Sequence, residues 1–212
     1  YYRAIELAEK YQDEATKSIV QHNLGELLFE EDKYDSALIL LNLSLQYELD
    51  HKNTLGIAQS KAMIATVYAT QKQYVKAFDY FEEAREVFEK FGNKQDLAGL
   101  DIEFAKAHQS LGNDSISEIY FLKGIKLAKL INARKTLLDA YESAALNYER
   151  IGKYKEALQY HKLFKALNDT LYNENNSRRF DYLSLKLENQ EREKELSKLE
   201  NEKKVLTLEG KT

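Results

Sequence analysis

Apolar side chains recur along the chain with the spacing of amphipathic α-helices. In the stretch 75–91, VKAFDYFEEAREVFEKF, apolar residues fall at 78, 81, 84, 87 and 88, which is a stripe with a 3.6-residue period. A second amphipathic run, 58–71, precedes it, and only a few residues separate the two runs. Two helices joined by so short a turn lie antiparallel and side by side. The pattern therefore predicts helical hairpins and an all-α fold.

The hairpin pattern repeats without drift, with a period of about 40 residues. One column of the repeat contains only small residues, at positions 37, 77, 117 and 157. Where two helices cross closely, a short side chain lets the backbones approach to about 8–10 Å. We therefore predict that the residues on the repeat columns pack the hairpins together. They are Gly25, Tyr34, Ala37, Ala65, Tyr68, Tyr74, Ala77, Phe81, Ala105, Phe121, Ala145, Tyr148, Gly152, Tyr154 and Ala157.

Composition agrees with the helical pattern and excludes several kinds of chemistry. The 212 residues include no Pro and only 8 Gly, too few turn residues for a β-rich chain. The absence of Cys excludes disulfides, a thiol nucleophile and thiolate metal sites. Thirty-one basic and 35 acidic residues give a net charge of -4, which argues against nucleic acid as a main partner. No run approaches the length of apolar sequence that a membrane span needs.

Two sets of residues resemble tetratricopeptide repeats (TPR). The first set is Asn23, Leu24, Gly25, Leu28, Tyr34, Ala37 and Leu41, and the second is Tyr141, Ala145, Tyr148, Gly152, Tyr154 and Ala157. The resemblance covers residues 18 to about 173 and implies an α-α superhelix, the TPR solenoid. The family repeat is shorter, at about 34 residues, and has a proline after its second helix. Because the repeat in this chain is longer and has no proline, we expect a longer second helix that ends at boundaries such as 50–53 and 92–93.

The repeat pattern divides the chain into three segments. Residues 1–17 are expected to be the trailing helix of a repeat whose first helix precedes Tyr1, and residues 18–176 should form four hairpins. Residues 177–212 should form a long charged helix that caps the last hairpin and continues as a linker. Spacings of 3 and 4 in this helix select a modest coiled-coil seam: Tyr182, Leu185, Asn189, Arg192, Leu196, Leu199, Lys203 and Leu206. The alternative is a solvated single helix with pairs such as Glu188–Arg192 and Glu200–Lys204.

We find no set of residues that supports catalysis, cofactor binding or metal binding. None of the four histidines has a partner at the His-x-x-x-His spacing of helical metal sites. His108 and His161 fall on columns where other copies carry apolar or aromatic residues, so we predict that both pack in or near the core. Adjacent carboxylates such as Glu82 and Glu83 fall on polar helix faces, where solvation is their expected role. The chain is therefore expected to be non-enzymatic.

The resemblance also implies that the first helix of each hairpin lines a concave groove. The implied groove residues are His22, Glu26, Phe29, Glu30, Gln59, Ala62, Thr66, Thr70, Ile102, Lys106, Gln109, Glu142, Leu146, Glu149 and Arg150. An alternative is that these are ordinary solvated positions. A Lys and Asn clamp for a C-terminal carboxylate, known in part of the family, looks absent. The groove is acidic at its first-copy and fourth-copy ends. This charge favours a protein or peptide ligand that is basic or neutral.

A more specific functional expectation also rests on resemblance. TPR arrays that run into a charged helix resemble the sensory region of bacterial histidine-kinase or helix-turn-helix signalling regulators. This implies a signal-transduction sensor whose helix leads to a membrane span and an output domain outside these residues. The alternative is an adaptor or assembly scaffold that forms a homodimer through residues 182–206. The first hypothesis places the domain in the periplasm or otherwise outside the cytoplasm, and the second places it in the cytoplasm.

Overall fold

The computed structural model describes residues 1–171 and 183–197, and every element in these ranges is a helix. The helices are α1 (Tyr2–Lys10), α2 (Glu14–Glu30), α3 (Tyr34–Asp50), α4 (Thr54–Thr70), α5 (Tyr74–Lys90), α6 (Lys94–Ser110), α7 (Asp114–Leu130), α8 (Arg134–Arg150) and α9 (Tyr154–Leu171). Residues 183–197 form a further helical segment, α10. The all-α prediction is confirmed, and the fold is a helical repeat solenoid.

The two helices of each hairpin in α2 to α7 are equal in length. Each of α2 to α8 contains 17 residues, and three residues join each helix to the next, as at 31–33 and 51–53. The second helix of a hairpin, which was expected to be long, therefore matches the first helix in length. Because turns within and between hairpins have the same length, the backbone repeats with every helix, while the side-chain pattern repeats with every second helix.

One turn geometry recurs at all eight connections between α1 and α9. The middle residue has a positive φ of 53–77°, at positions 12, 32, 52, 72, 92, 112, 132 and 152, and only the residues at 92, 112 and 152 are glycine. After α2, the Lys33 N–H donates to the Leu28 carbonyl oxygen at 2.8 Å, and the Asp32 N–H donates to the Phe29 carbonyl oxygen at 3.0 Å. These two bonds form a Schellman motif, which satisfies carbonyls left free at the helix end.

The third residue of a turn also begins the next helix. Asp13, Asn53 and Asn93 each accept a hydrogen bond from a backbone N–H three residues later, which caps α2, α4 and α6. Side-chain caps are not found at the starts of α3, α5 and α7. The predicted boundaries at 50–53 and 92–93 are therefore confirmed. The start of α2 at Glu14 lies before the expected start of the first hairpin at residue 18.

The chain divides into two compact units, Tyr1–Thr136 and Leu137–Thr212. In the first unit each helix contacts the next along the chain, and in addition α2 contacts α4 and α4 contacts α6. Among the described residues no equally close approach is found between α3 and α5 or between α5 and α7. The even-numbered helices therefore form an inner row of this unit, and the odd-numbered helices form an outer row.

The repeat columns of the first unit are its core, as predicted. Ala37, Ala65, Ala77, Phe81 and Ala105 have no exposed surface, and Phe121 is also buried. Gly25 is buried because Leu41 occupies the space where its side chain would be: a Cβ there would lie 2.8 Å from the Leu41 Cγ. The three tyrosines at 34, 68 and 74 are half-buried, with their rings against the hairpins.

The second unit contains most of α8, together with α9 and α10. Ala145, Tyr148 and Ala157 are buried, and the Tyr148 and Tyr160 rings stack with centroids 5.4 Å apart. Gly152 has a φ of 75°, so the turn between α8 and α9 needs a residue that tolerates the left-handed region. Tyr154 is half-buried, and the Lys186 ammonium lies 5.8 Å from its ring centroid. Leu183, at the start of α10, is fully buried. The predicted boundary at 176–177 lies outside the described residues.

Candidate functional site

The exposed side of the inner row is the candidate binding surface. We call it the inner face, and within the first unit its predicted residues lie on α2, α4 and α6. Most of them are partly or fully exposed, namely His22, Glu26, Phe29, Glu30, Gln59, Ala62, Thr70, Lys106 and Gln109. Because α4 contacts both α2 and α6 directly, these side chains belong to one continuous surface rather than to three isolated helices.

Two predicted groove residues are buried. Ile102 has no exposed surface, and a Cβ added to Gly124 of α7 would lie only 2.6 Å from the Ile102 Cδ1. Ile102 therefore fills the space beside Gly124 and packs α6 against α7, so it is a core residue and not a groove residue. Thr66 is buried as well, and its hydroxyl donates to the Ala62 carbonyl oxygen at 3.1 Å.

The α2 end of the inner face is acidic. His22 Nε2 lies 3.5 Å from Glu26 Oε1, and the Glu26 side chain is 52% exposed. The hydrogen bond from His22 lowers the pKa of Glu26, against an opposing effect of burial, and the nearby charges of His22 and Lys135 lower that pKa further. Glu26 is therefore ionised at neutral pH. Glu30, one turn further along α2, is exposed.

The polar groups of α4 and α6 are largely engaged with each other. The Thr70 hydroxyl donates to the Thr66 carbonyl oxygen at 3.0 Å. Gln59 Nε2 donates to Asp96 Oδ2 at 2.7 Å, which links α4 to the first turn of α6. The Lys106 ammonium forms an ion pair with Glu103 at 2.7 Å. The inner face therefore offers negative charge at α2 and mostly compensated polar groups on α4 and α6.

The predicted groove residues of the fourth copy lie in the second unit. Glu142, Leu146 and Arg150 are exposed, and Glu149 is half-buried. Arg150 Nη2 donates to the Asn147 Oδ1 at 3.2 Å, and Asn147 itself is fully buried. This end of α8 therefore presents both signs of charge beside one exposed leucine.

The described residues contain no group of three or more His, Asp or Glu side chains that could hold a metal ion. His108 stacks on Phe78 with ring centroids 4.5 Å apart, and His161 is buried, so the predicted packing role of both is confirmed. His51 stacks on Tyr47. The rings of these three histidines serve packing, whereas the His22 ring meets a carboxylate on the inner face.

A buried ion pair between α5 and α6 was not predicted from the sequence. Arg85 Nη2 lies 2.7 Å from Asp101 Oδ1, and both side chains are largely buried. The guanidinium also lies over the Phe104 and Tyr120 rings, 5.3 Å and 4.8 Å from their centroids. Burial raises the pKa of Asp101, while Arg85 opposes this rise. The sequence does contain a clue, because the Arg85 column is occupied by isoleucine or leucine at positions 5, 45 and 125.

Among the described helices, none is both long and apolar enough to cross a membrane. The seam positions of the proposed coiled coil that fall in α10 are Leu185, Asn189, Arg192 and Leu196, and all four are exposed. Glu188 and Arg192 form the ion pair that the single-helix alternative predicts, at 2.5 Å. The remaining seam positions, and the pair Glu200–Lys204, lie outside the described residues. Both alternatives for this segment therefore stay open.

Comparison with known proteins supports the fold. No protein-family model matches the sequence, and no curated protein is significantly similar to it. The structure is similar to the crystal structure of BtubC (BKLC) from P. vanneervenii, with a TM-score of 0.57 and 14% sequence identity. The match covers 76% of this chain and 67% of that chain. A likeness at this identity shows the fold alone: the chain is a helical repeat array.

Proposed function

We propose that the chain is a non-enzymatic, TPR-type interaction domain that binds a protein or peptide on its inner face. The observation that carries this proposal is the direct packing of α2, α4 and α6 into one row. An array of this kind presents an extended concave surface, which is the usual binding surface of helical repeat proteins. The described residues of this row include no group of three or more His, Asp or Glu side chains that could hold a metal ion.

The charge of the inner face favours a ligand segment with basic residues. Glu26 is ionised and half-exposed, and Glu30 lies on the same face of α2. The basic residue of the α6 portion, Lys106, is already paired with Glu103. Opposite charges across an interface raise the association rate and select against the wrong partners. We therefore expect Lys or Arg in the part of the ligand that contacts α2.

Peptides selected from a random dodecapeptide phage library would test this proposal. Selected peptides should be enriched in Lys or Arg, and fluorescence anisotropy should show weaker binding to Glu26→Lys and Glu30→Lys variants. The matched control is Glu86→Lys, which makes the same change at an exposed position of α5 in the outer row. If selected peptides bind the inner-face variants and the wild type equally well, the inner face is not the binding surface.

A finer proposal is that binding is the input of a bacterial signal-transduction sensor. It rests on the resemblance of the array and its charged C-terminal helix to such regulators. A stiff helix can transmit a rotation or a change in association to an output domain. A cysteine placed at Asn189, with crosslinking measured with and without a selected peptide, would test this transmission. Crosslinking that does not respond to peptide under any condition would contradict the sensor proposal but not the binding proposal.

The second candidate function is an adaptor or scaffold that dimerises through residues 182–206. The exposed leucines at 185 and 196 favour it, because a seam needs apolar residues that another helix can cover. Light scattering on the chain and on a form lacking residues 188–212 would measure the state of association. A monomer at high concentration that is unchanged by this deletion would contradict dimerisation through this helix.

A further inference from the structure

The outer row presents a second surface, which the proposed function does not use. In α3, α5 and α7 the same eight helix positions are exposed, and six of them lie before the last turn: the second, third, sixth, ninth, tenth and thirteenth residues. Because the backbone environment repeats, the three helices can be compared position by position. A difference in residue type between equivalent exposed positions is therefore not dictated by helix packing.

The outward face of α7 differs sharply from that of α5. At these six positions α7 has Ser115, Ile116, Ile119, Leu122, Lys123 and Lys126, and we call this set the outer α7 face. At the same positions α5 has Val75, Lys76, Asp79, Glu82, Glu83 and Glu86. The fold therefore accepts charged side chains at these positions. The aliphatic residues of the outer α7 face are not required for packing.

The aliphatic residues of the outer α7 face form one patch. Ile116, Ile119 and Leu122 are 40%, 52% and 47% exposed, and they follow one another over about 9 Å of helix. Lys123 and Lys126, both exposed, continue the same face toward the helix C-terminus. The Lys123 ammonium lies 4.6 Å from the Tyr120 ring centroid. No carboxylate is present among the six residues.

We infer that the outer α7 face binds an amphipathic helix of a partner protein whose apolar stripe is followed by carboxylates. Aliphatic side chains of the partner would cover Ile116, Ile119 and Leu122, and its carboxylates would pair with Lys123 and Lys126. Recognition of a helix through apolar side chains at positions one turn apart is a recurring binding mode. Complementary charge beside the apolar contact sets the orientation of the partner.

Two other occupants fit the surface less well. An anionic membrane is attracted by lysines beside aliphatic residues, but α5 in the same outer row carries four carboxylates at its outward positions and would repel it. A second copy that docks α7 parallel to α7 would place the lysines of both copies opposite each other, and like charges oppose such an association. An antiparallel arrangement would place Lys123 and Lys126 near Ser115 and Ile116, where the outer α7 face has no carboxylate to pair with them. Charge complementarity therefore favours a separate acidic helix.

The test uses a fluorescein-labelled helical peptide with leucines at spacings of 3 and 4 and with glutamates on its polar positions. The whole chain should bind this glutamate peptide, and affinity should fall as salt is raised. The double variant Ile119→Asp/Leu122→Glu copies the residues of α5 at the same positions, so it should fold and should lose at least about tenfold in affinity. Circular dichroism would verify the helix content of the variant.

Two controls make the test specific. Ile39→Asp, at the position of α3 equivalent to Ile119 and 63% exposed, should leave affinity unchanged. Lys123→Glu/Lys126→Glu should reverse the preference, so that a lysine version of the peptide binds more tightly than the glutamate version. Equal binding of both peptides by the wild type, or binding of the glutamate peptide that Ile119→Asp/Leu122→Glu does not weaken, would overturn the proposal.

Two further outcomes would replace the proposed occupant by another. Binding to vesicles of phosphatidylglycerol and phosphatidylcholine without binding to either peptide would identify a membrane surface. A dimer in light scattering that Ile119→Asp/Leu122→Glu dissociates, again without peptide binding, would identify a second copy of the chain. Either result would overturn the acidic-helix proposal while leaving the inner-face proposal untouched, because the inner-face variants act on α2.

Discussion

The contact between Gly124 and Ile102 makes a sharp prediction about stability. In Gly124→Ala the new Cβ would lie 2.6 Å from the Ile102 Cδ1 and 3.0 Å from the Ala98 carbonyl oxygen. The isoleucine side chain can move, but the carbonyl belongs to the backbone of α6 and cannot move without shifting that helix. Gly99 is the matched control, because it lies in the interior of α6 and a Cβ there would meet nothing within 4 Å.

The two substitutions share one contribution to the free energy of unfolding and differ in a second. In both, alanine replaces glycine inside a helix and should contribute about 1 kcal/mol of stability. Only Gly124→Ala adds an atom to a filled contact, and overpacking of this kind costs roughly 1–3 kcal/mol. We therefore expect Gly99→Ala to be more stable than the wild type by about 1 kcal/mol. Gly124→Ala should be less stable than Gly99→Ala by roughly 1–3 kcal/mol.

Urea unfolding followed by circular dichroism at a helix wavelength measures these differences. A double variant adds a second criterion, because the second copy has Ala84 and Ala62 at the positions of Gly124 and Ile102. Ile102→Ala alone should cost roughly 2–4 kcal/mol through the cavity it leaves. Gly124→Ala combined with Ile102→Ala should cost less than the sum of the two single changes. A Gly124→Ala variant as stable as Gly99→Ala, or simple additivity of Gly124→Ala and Ile102→Ala, would show that no close contact is present at Gly124.

Further predictions concern the turns and one half-buried ring. Lys72 has a φ of 62° and Gly152 a φ of 75° at equivalent turns. Lys72→Gly should therefore raise the free energy of unfolding by roughly 1 kcal/mol, and Gly152→Ala should lower it by a similar amount; the same sign for both changes would contradict the turn analysis. Burial lowers the pKa of His108, against a smaller effect of the Glu82 carboxylate. Because the pKa of the folded state lies below that of the unfolded state, this contribution to stability is complete above the ordinary histidine pKa and is lost as the pH falls toward the folded value. His108→Tyr should remove this loss, so its urea midpoint should fall less than that of the wild type between about pH 7.5 and 5.5. An unchanged pH dependence would assign the effect to other groups.

Side-chain columns made the core predictable. Ala37, Ala77 and Ala157 share a register in the sequence, and all three are fully buried, because close helix crossings admit only small side chains. The caps were also predictable, since Asn53 and Asn93 are residues whose short side chains reach the free N–H groups of the next turn. These features depend on local chemistry, which one sequence displays directly.

The equal lengths of α2 to α8 could not be predicted from the residue types, for a physical reason. Five of the eight residues with positive φ are not glycine; they include Lys52 and Lys72. The Schellman hydrogen bonds of the turn hold a lysine in the left-handed region. The residue type at this position therefore does not indicate a turn. The even spacing of the turns therefore appears in the backbone and not in the residue types.

The candidate site was predicted only in part because it depends on pairs of residues from different helices. Ile102 falls on a groove column, yet the missing side chain of Gly124 on the facing helix makes room for it in the core. Arg85 and Asp101 are individually unremarkable charged residues until α5 and α6 bring them together. A comparison of facing columns, rather than of single columns, would have indicated both contacts.

The uniform three-residue turn also bears on how such a chain can change length. Deletion of residues 74–113 would join Gln73 directly to Asp114, and α5 and α7 begin at equivalent points of the repeat. Every remaining turn would keep its geometry, and each helix would keep its row. Loss of a single helix with its turn would exchange the inner and outer rows from that point onward. Gene duplication or recombination in this array is therefore constrained to whole pairs of helices, although the backbone itself does not distinguish one helix from the next.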